Sequence, residues 1–83
     1  MTNEFSVYWW DPAGNTHAER RFVPLEEAVE FAENFIRRPA ATAGFIAKVM
    51  ITDGGDCCIW EWVKGKGLVW PTPTMIREAS NVH

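Results

Sequence analysis

Two apolar segments separated by a glycine-rich turn constrain the fold of this chain more than any other feature. The first segment ends at Thr52, the turn Asp53–Asp56 reads DGGD, and the second segment begins at Cys57. Two apolar runs joined by Gly-Gly are typical of a β-hairpin with a primed turn, because glycine adopts positive φ at no steric cost. The pattern therefore predicts a hairpin whose loop is Gly54 and Gly55 alone.

A loop of this length fixes which side chains of the hairpin share a face, because successive residues of a strand point to opposite sides. The small Ala47 then lies opposite the large Trp62, and Lys48 lies opposite Glu61 as an oppositely charged cross-strand pair. The predicted pairs are Ala47–Trp62, Val49–Trp60 and Ile51–Cys58 on one face, and Ile46–Val63, Lys48–Glu61 and Met50–Ile59 on the other.

The segment before this hairpin predicts a second hairpin and one helix. Residues 5–10 and 16–23 are typical of strands, and they flank the turn sequence Asp11–Asn15, in which Asp11 binds the turn backbone and Gly14 is left-handed. Residues 24–38 predict an amphipathic helix that ends before Pro39. Its apolar residues recur at helical spacing: Leu25, Ala28, Val29, Ala32, Phe35 and Ile36.

The order β-β-α-β-β predicts an α+β fold, a four-stranded, mainly antiparallel sheet with one amphipathic helix packed on one face, plus a C-terminal extension. We expect a single domain over residues 1–83, with a compact core at about 4–70 and the extension at 71–83. The first and third strands are expected to be central and the charged second strand to lie at an edge. Residues 68–70 are either a short fifth strand or a return segment, and residues 74–80 favour one or two helical turns.

The sheet face opposite the helix is the main functional candidate, because the predicted alternation makes it apolar as well. A contiguous exposed apolar patch marks an interaction site. Three coverings stay open: the segment 68–82 of the same chain, a second copy in a homodimer, or an unidentified partner or ligand. The predicted interaction surface consists of Tyr8, Trp10, Ile46, Met50, Ile59 and Val63.

Composition supports some exposed aromatic surface and gives no sign of a membrane protein. The 83 residues include five Trp, five Phe and one Tyr, more than one small core can bury fully. No stretch approaches the roughly 18 apolar residues of a transmembrane helix, and the first residues lack a signal-peptide pattern. The adjacent Cys57 and Cys58 favour reduced thiols, so we expect a cytoplasmic protein.

No residue pattern predicts catalysis, a cofactor or a metal, so we expect a non-enzymatic protein. Asp53 and Asp56 fit turn chemistry better than a calcium loop. Cys57, Cys58 and His17 lack the separated pairs of a zinc site. His17 is expected beside the first turn, across from Trp10 and exposed to solvent.

Nucleic-acid binding through an Arg and Trp surface is the alternative function. Cationic side chains and aromatic rings that gather on one surface bind single strands. A net charge of −3 lacks the basic excess of a dedicated nucleic-acid binder. The candidate residues are Arg20, Arg21, Arg37, Arg38, Lys64 and Lys66 with Trp10, Trp62 or Trp70.

The helix and hairpin sequences together resemble a known group of proteins. The segment LEEAVEFAENF, followed by VMITDGGDCCIWEW and Gly65, resembles small bacterial domains of unknown function with a β-β-α-β-β plan. The resemblance covers residues 5–67 and implies the same plan here. It carries no catalytic residue and no ligand, and the chain departs from it in Gly54-Gly55, in Trp60-x-Trp62 and in its proline-rich tail.

Overall fold

A five-stranded antiparallel sheet with helices on one side forms the framework of residues 3–71, the part of the chain that the computed structural model describes. The elements are β1 (Phe5–Trp10), β2 (Thr16–Val23), α1 (Leu25–Phe35), α2 (Pro39–Thr42), β3 (Lys48–Thr52), β4 (Cys58–Val63) and β5 (Gly67–Trp70). The strands lie in the order β2-β1-β3-β4-β5. The α+β class, the central β1 and β3 and the edge position of β2 are confirmed, whereas the prediction of four strands is wrong.

The fifth strand forms because the chain reverses direction directly after β4. Gly65 and Gly67 adopt left-handed φ values of 88° and 80°, which glycine tolerates without a steric penalty. The Lys66 amide donates to the Val63 carbonyl at 3.0 Å. The chain then pairs with β4, so that residues 67–70 are a strand and not an unpaired return segment.

The loop of the β3–β4 hairpin contains Gly54, Gly55 and Asp56 instead of the two glycines alone. The Asp53 amide donates to the Cys57 carbonyl at 3.0 Å, and the Asp56 amide donates to the Asp53 carbonyl at 3.1 Å. Asp56 has the positive φ, 63°, whereas Gly54 and Gly55 do not. Asp53 Oδ1 also accepts hydrogen bonds from the Gly55 and Cys57 amides, at 2.8 and 3.0 Å, which stabilises the longer loop.

The longer loop and a bulge in β4 shift the hairpin register by two residues from the prediction. The bulge lies between the Ile51–Trp60 and Thr52–Cys58 pairs. The observed pairs, which replace the predicted ones, are Lys48–Val63, Val49–Trp62, Met50–Glu61 and Ile51–Trp60. Because side chains alternate with a period of two, an even shift changes the cross-strand partners of these residues but leaves them on their predicted faces.

Substitutions in this loop distinguish it from a two-residue turn. We expect Asp56→Gly to be more stable than Asp56→Ala by about 1 kcal/mol, since both remove the carboxylate but only Ala keeps a Cβ at positive φ. Gly55→Ala is the control, because an added Cβ would lie in ordinary contact, 3.6 Å from Asp53 Oδ1. Urea unfolding measures the three values. A greater loss for Gly55→Ala than for Asp56→Ala would instead indicate the primed turn.

Helix α1 packs on one face of the sheet. We call this face the first face. It contacts β1, β3 and β2, and its buried residues are Ala28, Ala32 and Phe35. The buried cluster as a whole consists of Val7, Ala28, Ala32, Phe35, Ala41, Ile46, Val49, Ile51 and Trp60. Because Ala41 belongs to this cluster, α2 packs on the same side as α1. Among residues 3–71 no helix lies on the opposite face, which we call the second face.

Helix α1 is shorter than the predicted helix over residues 24–38. It ends at Phe35, and the Ile36 amide makes the closing hydrogen bond to the Ala32 carbonyl at 3.1 Å. Pro39 starts the separate short helix α2, because proline fits the first helical position, where a missing N–H costs nothing. Leu25, although in phase with the apolar stripe, lies in the first turn and is 40% exposed.

Two further predictions concern residues outside the described part of the chain. These are the helical turns at 74–80 and the covering of the second face by the segment 68–82, of which residues 72–82 lie outside the described part. Within residues 3–71, neither helix has the length or the apolar character that crossing a membrane requires.

Candidate interaction surface

Two neighbouring rows of side chains on the second face run across the strands. Directly opposed residues of antiparallel strands project from the same side of a sheet. One row is Tyr8–Met50–Glu61–Trp70, and the other is Trp10–Lys48–Val63. These two rows contain seven residues. They combine aromatic and aliphatic groups with one cation and one anion.

Four residues of the predicted interaction surface lie on the second face. They are Tyr8, Trp10, Met50 and Val63, and each is half-buried in the single chain. They come from β1, β3 and β4, which are adjacent in the sheet. The structure therefore brings these four side chains together as one surface.

Ile46 and Ile59 do not belong to this surface. Ile46 is only 3% exposed and belongs to the buried cluster, because it lies before β3 begins at Lys48 and the strand alternation does not reach it. Ile59 falls at the bulge, has no directly opposed residue on β3, and packs against the buried cluster. Its predicted partner Met50 lies opposite Glu61 instead.

Charged side chains contact the apolar groups of the second face. Lys48 Nζ lies 3.9 Å from Glu61 Oε2 and 4.5 Å from the centroid of the Trp10 ring. The predicted Lys48–Glu61 contact thus forms, but between diagonal neighbours. The Arg21 guanidinium lies 5.9 Å from the Tyr8 ring centroid, within the range of a cation–π interaction. Both cations therefore lie beside the aromatic side chains that β1 contributes to the surface.

Trp70 is a member of the second face that the sequence did not predict. It lies opposite Glu61 at the end of β5 and is 39% exposed. Trp70 reaches this position only because β5 forms and pairs with β4. The one sequence signal for β5 was the turn Gly65-Lys66-Gly67, after which the chain runs antiparallel to β4.

His17 lies on the first face, where it stacks on Trp9 with ring centroids 4.1 Å apart. It pairs with Trp9 across the strands, so the predicted position across from Trp10 is wrong by one residue. Its Nε2 donates to Asp11 Oδ2 at 3.1 Å. This hydrogen bond is the main cause that lowers the pKa of Asp11 to about 2, and the Asn15 amide contributes.

Asp11 has a structural role in the β1–β2 turn. Its Oδ1 accepts hydrogen bonds from the Ala13 and Asn15 amides at 3.0 and 2.9 Å, and Gly14 has a φ of 93°. Both features were predicted. The carboxylate therefore fixes the turn and orients His17, and neither group faces a nucleophile in the described hydrogen-bond network.

The two cysteines are free thiols with different surroundings. Cys57 is exposed, whereas Cys58 is half-buried and its Sγ lies 3.5 Å from the Trp60 carbonyl oxygen. Burial raises the pKa of the Cys58 thiol, and the nearby Glu61 carboxylate acts in the same direction. A raised pKa disfavours the reactive thiolate. In residues 3–71, no three His, Cys, Asp or Glu side chains form a group suited to a metal ion.

A cleft of about 650 Å³ lies between β2 and α1, away from the second face. The guanidinium of Arg20 lies 4.3 Å from the centroid of the Phe31 ring and so covers its apolar side. The other lining residues are Pro24, Glu26, Glu27, Glu30 and Asn34. Three of the lining side chains are carboxylates, and the lining is not predominantly apolar as in a typical ligand pocket.

The basic residues of the nucleic-acid alternative do not gather on one surface. Arg20 and Arg38 lie over Phe31 beside α1, at 4.3 and 5.6 Å from the ring centroid. Arg21 lies over Tyr8 on the opposite side of the sheet. Lys64 donates to the Thr42 carbonyl at 3.0 Å. The cations are thus distributed over both sides of the sheet.

The geometry therefore supports the second face as the candidate site more strongly than the cleft or the basic residues. The registers of the paired strands determine which residues belong to this surface. The resemblance of the helix and hairpin sequences to small bacterial domains of unknown function stays a prediction. No family model, curated protein or solved structure matches the chain.

Proposed function

We propose that this protein is a non-enzymatic protein-interaction module that associates with a second copy of itself through the second face. The observation that carries the proposal is the row of Tyr8, Met50 and Trp70 together with Trp10 and Val63, on a face that neither helix of residues 3–71 covers. An antiparallel sheet with one solvated face normally alternates apolar and polar residues. Apolar residues on both faces favour a buried environment for each.

The composition of the second face is that of a protein–protein interface. Tyr, Trp, Met and Arg are enriched in interfaces, because they combine large apolar area with polar groups. The second face contains Tyr8, Trp10, Met50 and Trp70, and Arg21 borders it. This favours a protein partner over a small molecule, which requires a concave pocket.

The sheet face also supplies more than half of the area that a standard dimer contact buries on each partner. Five strands about 4.8 Å apart, with some six residues of about 3.3 Å each, give a flat area of roughly 480 Å². Projecting side chains add to this area. Standard interfaces bury about 800 Å² on each partner, so a face of this size approaches a standard contact.

The supporting evidence for nucleic-acid binding is weaker. Phosphate contacts supply most of the affinity of such proteins, and they require cations on one surface. Here Arg20 and Arg21 lie on opposite sides of the sheet. For the compartment, we propose the cytoplasm, in keeping with the free thiols of Cys57 and Cys58.

Met50→Glu tests the proposed association. The substitution places a carboxylate in the middle of the second face, beside Glu61, and we expect it to weaken self-association by at least about 10-fold. Sedimentation equilibrium of the full chain measures the effect. The wild type should reach twice the 9.5 kDa chain mass as concentration rises, and the variant should remain at the chain mass.

The matched control is Val29→Glu, which introduces the same carboxylate at a half-buried position of α1, away from the second face. Circular dichroism establishes that each variant is folded. The proposal fails if the wild type sediments as a monomer at all concentrations, or if folded Met50→Glu associates as strongly as the wild type.

A further inference from the structure

Lys48 and Glu61 form a self-complementary charge pair within the apolar second face. Lys48 lies on β3 and Glu61 on β4, on neighbouring rows, because their direct partners are Val63 and Met50. The two charged residues are therefore diagonal neighbours, on adjacent strands and in adjacent rows. The pair is surrounded by the apolar side chains through which we propose that the protein associates.

The contact between the two groups within one chain is loose. Lys48 Nζ and Glu61 Oε2 are 3.9 Å apart, which allows an ionic attraction but is too long for a hydrogen bond. The side chains remain 34% and 24% exposed. Glu61 Oε1 also lies 4.0 Å from Cys58 Sγ. Because both charged side chains are partly exposed, a molecule that covers the second face can reach them.

Two-fold symmetry gives this pair a specific complement. In a two-fold dimer the same surface meets itself, so that residue i contacts residue j and residue j contacts residue i. An axis midway between the two charges places each Lys48 opposite Glu61 of the second copy. Any face-to-face arrangement with Lys48 opposite Lys48, or Glu61 opposite Glu61, brings like charges together in a desolvated contact, which is costly.

We infer that the second copy docks with its Lys48 over Glu61 and its Glu61 over Lys48, so that this charge pair sets the orientation of the dimer. The inference rests on the proposed function and deepens it from a face to a defined arrangement. In this arrangement the apolar residues of the second face supply the binding affinity, and Lys48 and Glu61 determine the orientation in which the two copies bind.

Charge reversal tests the arrangement with two variants that complement each other. Lys48→Glu gives a chain with two carboxylates at these positions, and Glu61→Lys gives a chain with two ammonium groups. We expect each variant alone to self-associate at least about 10-fold more weakly than the wild type, because like charges then face each other across the interface. An equimolar mixture should restore association, since every carboxylate now meets an ammonium group.

Restoration on mixing is the informative result, because mixing does not change the contacts within either chain. The chain that carries both substitutions supplies a second test, since it keeps opposite charges within and between copies and should associate like the wild type. Arg37→Glu and Glu33→Lys, which make the same charge changes at exposed positions on the helix side of the sheet, serve as controls. Sedimentation equilibrium measures all of these proteins.

The outcomes separate this inference from the proposed function. If Met50→Glu is monomeric while both charge variants associate like the wild type, the face is correct and the inferred orientation is wrong. If the variants are weakened but the mixture is not restored, the orientation is also wrong. If the wild type itself never associates, the proposed function and this inference both fail.

Discussion

Replacing Ile51 with alanine is expected to lower the free energy of unfolding by about 2–5 kcal/mol. Ile51 is fully buried on β3 and lies between Val7 of β1 and Trp60 of β4. The substitution removes three buried carbon atoms and leaves a cavity that two neighbouring strands and α1 cannot easily close. A small domain has roughly 5 kcal/mol of stability, so this loss is a large fraction of the total.

Leu25→Ala is the matched control for Ile51→Ala. It also removes three carbon atoms, and the helical periodicity alone would place Leu25 in the core. Because Leu25 is 40% exposed, we expect a loss less than half that of Ile51→Ala. Urea denaturation measures both. Equal losses would mean that Leu25, and not only the central strands, is part of the core.

A charge at Ala32 is expected to prevent stable packing of α1. Ala32 is fully buried between α1 and the first face, in the same cluster as Val7 and Val49. Ala32→Asp would bury a carboxylate without a partner, which costs several kcal/mol even after local relaxation. Since this cost approaches the stability of a small domain, we expect loss of the cooperative unfolding transition at neutral pH.

Asn34→Asp introduces the same residue two positions later, on the exposed side of α1. Its stability should lie within about 0.5 kcal/mol of the wild type, because an exposed carboxylate keeps its hydration. Thermal unfolding followed by circular dichroism compares the two proteins. A cooperative transition for Ala32→Asp close to that of Asn34→Asp would contradict the packing of α1 on the sheet.

The helix stripe was predictable because its spacing encodes the buried face directly. Ala28, Ala32 and Phe35 are in phase and are buried as expected. Leu25 is the exception, since periodicity gives the direction of a side chain but not the extent of the surface that covers it. The short helix α2 was not predicted, because a four-residue helix has too few residues to show a period.

The register of the hairpin was not predictable from the glycine pair. Gly54 and Gly55 suit a primed turn, but two hydrogen bonds to the Asp53 side chain and the left-handed Asp56 stabilise a longer loop. The energies that separate such loops are small and local, so composition does not decide between them. Lys48 and Glu61 still meet, because an even shift leaves them on one face as diagonal neighbours.

The candidate surface was predictable only where strand alternation applies. Tyr8, Trp10, Met50 and Val63 lie within regular strands, and the structure places them together. Ile46 precedes its strand, so alternation does not apply to it. Trp70 belongs to the surface because β5 pairs with β4. The sequence of residues 68–70 was compatible with either a strand or an unpaired return segment, so this pairing was not predictable.

The concentration dependence of Met50 oxidation tests most directly whether a second copy covers the second face. Hydroxyl-radical labelling of the full chain, followed by mass spectrometry, reports the solvent access of this side chain. We expect Met50 to become protected as protein concentration rises, while the exposed Phe45, 67% accessible in the single chain, keeps its labelling rate. A Met50 rate that stays the same at every concentration would contradict self-association through this face.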